Sequence, residues 1–159
     1  MPAPQNPFLG RSGELLELVG LLTEGGIRLL TITGPGGIGK TRLALKAAED
    51  PGLAFGDGTG FVPLGPVESP DDIPQAIASA LGAAFPPSGD TLADHLLRHL
   101  RDRSMLLVLD SFEHLVEGAP LISGLLAAAC SRSMSRRRAA AMPSAMARVA
   151  PPRATRRAR

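Results

Sequence analysis

Apolar residues recur along this chain at two different periods. Leu15, Leu18, Val19 and Leu22 fall at helical spacing behind Ser12, an N-cap residue type, so residues 12–23 are expected to form a helix that Gly25 and Gly26 end. "IRLLTIT" (27–33) is a short apolar and β-branched run, the pattern of a buried strand. Helical spacing resumes over 40–49 through Leu43, Ala44 and Ala47 and stops at Pro51-Gly52. "FVPL" (61–64) follows turn residues and predicts a second strand, with Pro63 pointing to a sheet edge. Ile73, Ile77 and Leu81 predict a helix from Asp71 or Asp72, and Leu92, Leu96 and Leu100 another from Asp90 or Thr91, with "FPPSGD" (85–90) as the loop between them. "MLLVLD" (105–110) is apolar at successive positions and so predicts a strand covered on both faces. Strands alternating with helices at this spacing give an α/β fold, a parallel sheet flanked by helices. No internal repeat interrupts the pattern.

Charge divides the chain where periodicity stops. The 159 residues carry a formal charge of +2, but residues 1–130 hold eight basic groups against all fifteen acids, a net −7, and residues 131–159 hold nine arginines and no acid. The acidic body excludes a nucleic-acid-binding surface as a whole, and only the last segment has the charge for DNA or RNA. Cys130 has no second cysteine to pair with, in keeping with a cytoplasmic location. The opening "MPAPQNPFLGR" has no signal-peptide pattern, and the longest uncharged apolar run, "GAPLISGLLAAAC", falls short of the ~20 residues that span a bilayer, so no membrane association is expected.

Between the first predicted strand and the second helix stands Gly34-Pro35-Gly36-Gly37-Ile38-Gly39-Lys40-Thr41, which fits G-x-x-x-x-G-K-[ST], the phosphate-binding loop (Walker A). Main-chain N–H groups can surround a polyphosphate only where side chains do not intervene and some residues take positive φ, which explains Gly36, Gly37 and Gly39. The helix starting near Lys40 adds unbonded N–H donors and a partial positive charge. Lys40 would meet the β- and γ-phosphates, and Thr41 would put its hydroxyl on Mg²⁺. The plainer alternative is a glycine turn that happens to precede Lys-Thr.

Asp110 ends the apolar strand 105–110, where a P-loop ATPase holds its magnesium (Walker B). It could instead cap the next helix. Hydrolysis also needs a group that orients or deprotonates water. Ser111 stands where many such enzymes have a second acid, and Glu113 is the nearest carboxylate; it is a candidate base or a helix-start acid favourable to the dipole. His95, His99 and His114 lack the spacing partners of a metal site.

Taken together, "NPFLGR" (6–11), "LLTITGPGGIGKTRLAL" (29–45), "FVPLGPV" (61–67), "QAIASALG" (75–82) and "MLLVLDSFEHL" (105–115) resemble the NB-ARC-like ATPase module of the STAND class, and more narrowly the large bacterial ATP-binding regulators of the LuxR and SARP types. The resemblance runs from about Asn6 to Cys130. It implies ATP/ADP and Mg²⁺ as ligands, a nucleotide run Gly34 to Arg42, metal contacts at Thr41 and Asp110, and catalytic roles for Lys40, Asp110 and Glu113. It also puts Phe8, Leu9, Gly10 and Arg11 near the adenine end of the site. Such proteins act as nucleotide-driven switches and self-associate, with output and sensing carried by domains that this sequence does not contain. The implied organisation is residues 1–26 as an N-terminal element and helix, 27–130 as a partial P-loop domain, and 131–159 as a disordered tail.

The family would continue after "LLAAAC" into a further buried strand ending in a Ser/Thr-Arg pair. Residues 131–159 contain no leucine, isoleucine, aromatic residue or glycine, and so are expected to bury too little apolar surface to offset ordering entropy. Two origins fit: an out-of-frame end on a truncated regulator, or a basic arm that binds nucleic acid through phosphates. Without the sensing strand, the strands of the P-loop and Asp110 would present unpaired edges. That predicts poor stability, weak ATP binding and negligible hydrolysis. An inactive remnant and a small-molecule kinase are the remaining alternatives.

Overall fold

The computed structural model of the chain describes residues 10–23, 27–53, 55–86, 89–130 and 145–147. Helix α1 (Ser12–Thr23) leads to strand β1 (Leu29–Leu30), the glycine loop and α2 (Lys40–Ala48). Strand β2 (Thr59–Pro63) follows, then α3 (Ile73–Ala80), α4 (Leu92–Arg101) and β3 (Leu106–Asp110). Two single 3₁₀ turns over 112–118 lead into α5 (Ala119–Cys130), and β4 (Ala145–Ala147) completes the described elements. The four strands form one parallel sheet in the order β1-β4-β3-β2.

Strand β3 explains why the sheet is covered on both sides. Its side chains alternate in direction, and every residue from Leu106 to Leu109 is buried. Leu106 and Val108 pack with Leu18 and Leu22 of α1 and Leu43, Ala44 and Ala47 of α2. Leu107 and Leu109 face the opposite way, into a larger core with Val62, Ile73, Ile77, Leu96, Phe112 and Ile122. Each such aliphatic side chain contributes ~1.5–3 kcal/mol when taken from water to full burial.

The local signals act as their chemistry dictates. Thr91 caps α4 by accepting from the Asp94 N–H at 3.2 Å, while the Asp94 carboxylate accepts from the Thr91 N–H at 3.2 Å, a reciprocal capping box. Arg28, just before β1, donates to the Leu126 carbonyl in the last turns of α5, a helix with no basic residue of its own there. Pro63 ends β2 at the sheet edge, opposite Asp110 of β3.

Two expectations change. Among the described residues, the strand expected over 27–33 is paired at Leu29–Leu30, and the chain then runs into the glycine loop. The edges of β1 and β3 are not unpaired. Leu29 and Leu30 of β1 pair with Met146 and Ala147, and Leu106, Leu107 and Val108 of β3 pair with Ala145, Met146 and Ala147. Residues 131–159 are therefore not structureless throughout: main-chain ladder bonds need no particular side chain, and the uncharged run Ala-Met-Ala meets them. The remainder of 131–159 lies outside the described residues, as do Phe8, Leu9, Gly25 and Gly26.

Candidate functional site

The C-terminal ends of parallel strands meet along one edge of the sheet, and the candidate residues converge there. The chain leaves β1, turns through residues 34–39 and re-enters regular structure as α2, whose first residue is Lys40. Gly37 and Gly39 take φ values of 74° and 87°, in the left-handed region that glycine enters without strain. Gly39 is the N-cap of α2 and supplies no side-chain cap, so the helix begins without a side-chain acceptor for its leading N–H groups. Residues 33–39 are exposed.

Lys40 curls back over this loop. Its Nζ donates to the carbonyls of Gly34 at 2.9 Å and Pro35 at 3.0 Å. The ammonium thus lies across the loop, held by two neutral acceptors that an anion would outcompete. Thr41 reaches the other way: its hydroxyl donates to Asp110 Oδ1 at 2.6 Å, closing the distance between α2 and the end of β3. A hydroxyl and a carboxylate at this separation are a hard-oxygen donor set that suits Mg²⁺.

An open cleft runs between the two elements, lined by Lys40, Thr41, Asp110, Ser111 and Glu113, with Ile32 and Phe112 among its apolar walls. The five polar residues come from two segments about seventy positions apart in sequence, brought together by the parallel topology. Glu113 is exposed in the turn that follows β3. Arg42 is half-buried on α2 and does not line the cleft. His114 donates from Nε2 to the Val67 carbonyl, 2.8 Å away, tying the Asp110 turn to the loop after β2. Among the described residues, no group of three or more His, Cys, Asp or Glu forms a metal cluster.

Arg11 belongs to the site by a route that its sequence position did not suggest. Its Nη1 donates to the Ile38 carbonyl of the glycine loop at 2.9 Å, and its other nitrogens fork onto Glu14 at 2.6 and 2.8 Å. The hydrogen bonds from Arg11 hold the Glu14 carboxyl below the usual carboxylate range, and the same pair pushes the guanidinium up. Glu14 escaped the sequence reading; its spacing of three from Arg11 at a helix start was the available signal. Arg11 and Ser111 are the two non-glycine residues with positive φ among the described residues, at 58° and 62°. One touches the glycine loop and the other follows Asp110, so both left-handed side-chain-bearing residues flank the cleft.

A glycine loop between a parallel strand and a helix, facing an aspartate at the end of another strand, defines a P-loop α/β nucleotide-binding fold. The chain belongs to the AAA-domain family: a family profile described as "AAA domain" matches residues 24–141, continuing past the composition change at Ser131. Among curated relatives, an uncharacterized protein of Mycobacterium tuberculosis is 36% identical over 125 residues, 79% of this chain and 31% of the relative. A protein of the same species named as an HTH-type transcriptional regulator is 39% identical over 103 residues, 65% of this chain and 11% of the relative. Regulatory protein AfsR of Streptomyces griseus is 32% identical over 134 residues, covering 78% and 14%. The chain thus spans less than a third of the length of these relatives. Among solved structures, the ORC2 protein of Aeropyrum pernix, described in ADPNP-ADP complexes, superposes with a TM-score of 0.63 over 91% of this chain and 42% of its own, at 17% identity. That likeness is one of fold. No helix among the described residues is long and apolar enough to cross a membrane.

Proposed function

We propose that this chain binds an adenine nucleotide with Mg²⁺ and acts as the nucleotide-responsive element of a transcriptional regulator of the STAND type, in the LuxR/SARP group. The observation that carries the reading is the Thr41–Asp110 hydrogen bond at 2.6 Å beside the uncapped start of α2. It brings the hydroxyl and the carboxylate together beside the glycine loop. The names of the regulator relatives and the ADPNP-ADP complex of the ORC2 protein support the nucleotide and the regulatory context.

In this reading the phosphates occupy the concave side of residues 34–41. They draw Lys40 from the Gly34 and Pro35 carbonyls, and Thr41 with Asp110 holds the metal. Mg²⁺ would neutralise phosphate charge and fix the phosphate orientation. Glu113, on the cleft wall, is the carboxylate that would orient water. The paired edges of β1 and β3 remove the structural ground for expecting weak binding.

The test is equilibrium binding of a fluorescent ADP analogue with and without Mg²⁺. A charge contact at ~4 Å is worth ~1–4 kcal/mol between water and an intermediate dielectric, so Lys40→Ala is expected to weaken binding about five- to 800-fold. No saturable binding by the unaltered chain, or equal binding by the variant, would refute the proposal.

A further inference from the structure

Arg11 is a cation beside a phosphate loop, yet its charge is already matched. The guanidinium is forked on Glu14 through two bonds, and its remaining contact is to a neutral carbonyl, Ile38 O. Its contribution to an anion site is therefore one of direction more than of charge. In a planar trans peptide the C=O and the following N–H point opposite ways. A donor gripping Ile38 O at 2.9 Å consequently fixes where the Gly39 N–H points: away from Arg11. Gly39 itself, at φ 87°, could swing this peptide unit readily, since glycine tolerates several conformations. A Cβ built on Gly39 would lie 3.9 Å from Arg11 Nη1, so the guanidinium sits directly against the pivot. The backbone of Arg11 adopts the left-handed conformation at φ 58°, uncommon for a side-chain-bearing residue, while its carbonyl accepts the first α1 hydrogen bond from Leu15.

We propose that Arg11, aligned by Glu14, is a positioning residue for phosphate binding: it locks the Ile38–Gly39 peptide so that the Gly39 amide is presented as a donor instead of the Ile38 carbonyl as an acceptor. The inference rests on the nucleotide-binding reading above, and differs from a role at the adenine end. With the lock removed, the flipped peptide turns a lone pair toward the phosphates and binding weakens at that end of the ligand. Glu14 matters because it holds the fork in plane, which an ammonium cannot reproduce.

The experiment uses the full chain with Arg11→Ala, Arg11→Lys and Glu14→Gln. Three quantities are read: unliganded Tm, affinity for Mg-ADP and for inorganic pyrophosphate, and the amide resonance of Gly39 in nucleotide-free protein. Arg11→Ala is expected to lose about ten-fold in affinity for both ligands, the scale of one charge-assisted hydrogen bond, and to shift the Gly39 amide. Arg11→Lys should recover part of the loss, and Glu14→Gln should fall between. Should Arg11→Ala fail to fold, the other two variants decide on the same readouts. An unmoved Gly39 amide, unchanged Mg-ADP affinity, or a loss for Mg-ADP without one for pyrophosphate overturns the proposal. If the unaltered chain binds neither ligand, the nucleotide reading fails, while the Gly39 resonance still tests the lock.

Discussion

The contact between Thr41 and Asp110 is the join between the two halves of the site, and its strength can be measured without any ligand. The Thr41 hydroxyl donates to Asp110 Oδ1 at 2.6 Å in a partly buried setting. A hydrogen bond to a charged group contributes about 1.5–3 kcal/mol net, and partial exposure argues for the lower end. A double-mutant cycle with Thr41→Ala, Asp110→Ala and the double variant isolates the pair from whatever else each substitution changes. We expect a coupling of about 1.5 kcal/mol by urea unfolding, equivalent to roughly 3–6 °C in Tm for a chain of this size. Asp110→Asn keeps an acceptor and should lose less than half as much. A coupling below about 0.5 kcal/mol, the ordinary error of additivity, would mean that the contact holds nothing together and that the two elements are positioned by the core alone.

Further outcomes test other parts of the molecule. A Cβ on buried Gly118 would stand 2.3 Å from Ile73 Cδ1 in a fully packed region, so Gly118→Ala should cost about 1–3 kcal/mol in unfolding free energy through overpacking. Met146→Pro removes a ladder donor from the strand between β1 and β3 and should lower Tm by several degrees, whereas a proline at an edge or in a loop would be tolerated. Hydrogen bonds from the Thr91 side chain and backbone lower the Asp94 pKa. Its stabilising contribution is therefore present above the ordinary carboxylate value and lost as pH falls through the depressed one; Asp94→Asn should flatten acid unfolding in that window. If the five arginines beyond β4 bind nucleic acid, changing Arg148, Arg153, Arg156, Arg157 and Arg159 to Gln should abolish salt-sensitive DNA binding by gel shift without altering Tm. Deleting 131–159 would confound that assay by removing a central strand.

Legibility followed how local each signal was. Helix α1 spans the residues that its periodicity gives, and β3 differs by one, because burial on both faces leaves an unbroken apolar run. The convergence of Lys40, Thr41 and Asp110 on one cleft could be read in advance because parallel strands bring their C-terminal ends to one edge whatever lies between them. Helix α5 went unassigned, since Gly118, Pro120 and Gly124 disguise its start and its face is apolar nearly all round. Strand β4 was illegible for a different reason: three small or flexible residues in an arginine-rich stretch carry no strand propensity, and only the open edges of two distant strands select them. The reach of Arg11 to Ile38 depends on a left-handed backbone that nothing at an arginine position announces.

The place of β4 fixes an order of events during biogenesis. Met146 sits beside Leu29, more than a hundred residues earlier in the chain, so β1 and β3 cannot be bridged until residues 145–147 have been made. Contacts of such range are slow to form, and until they do the facing edges of β1 and β3 are open to pairing with other strands.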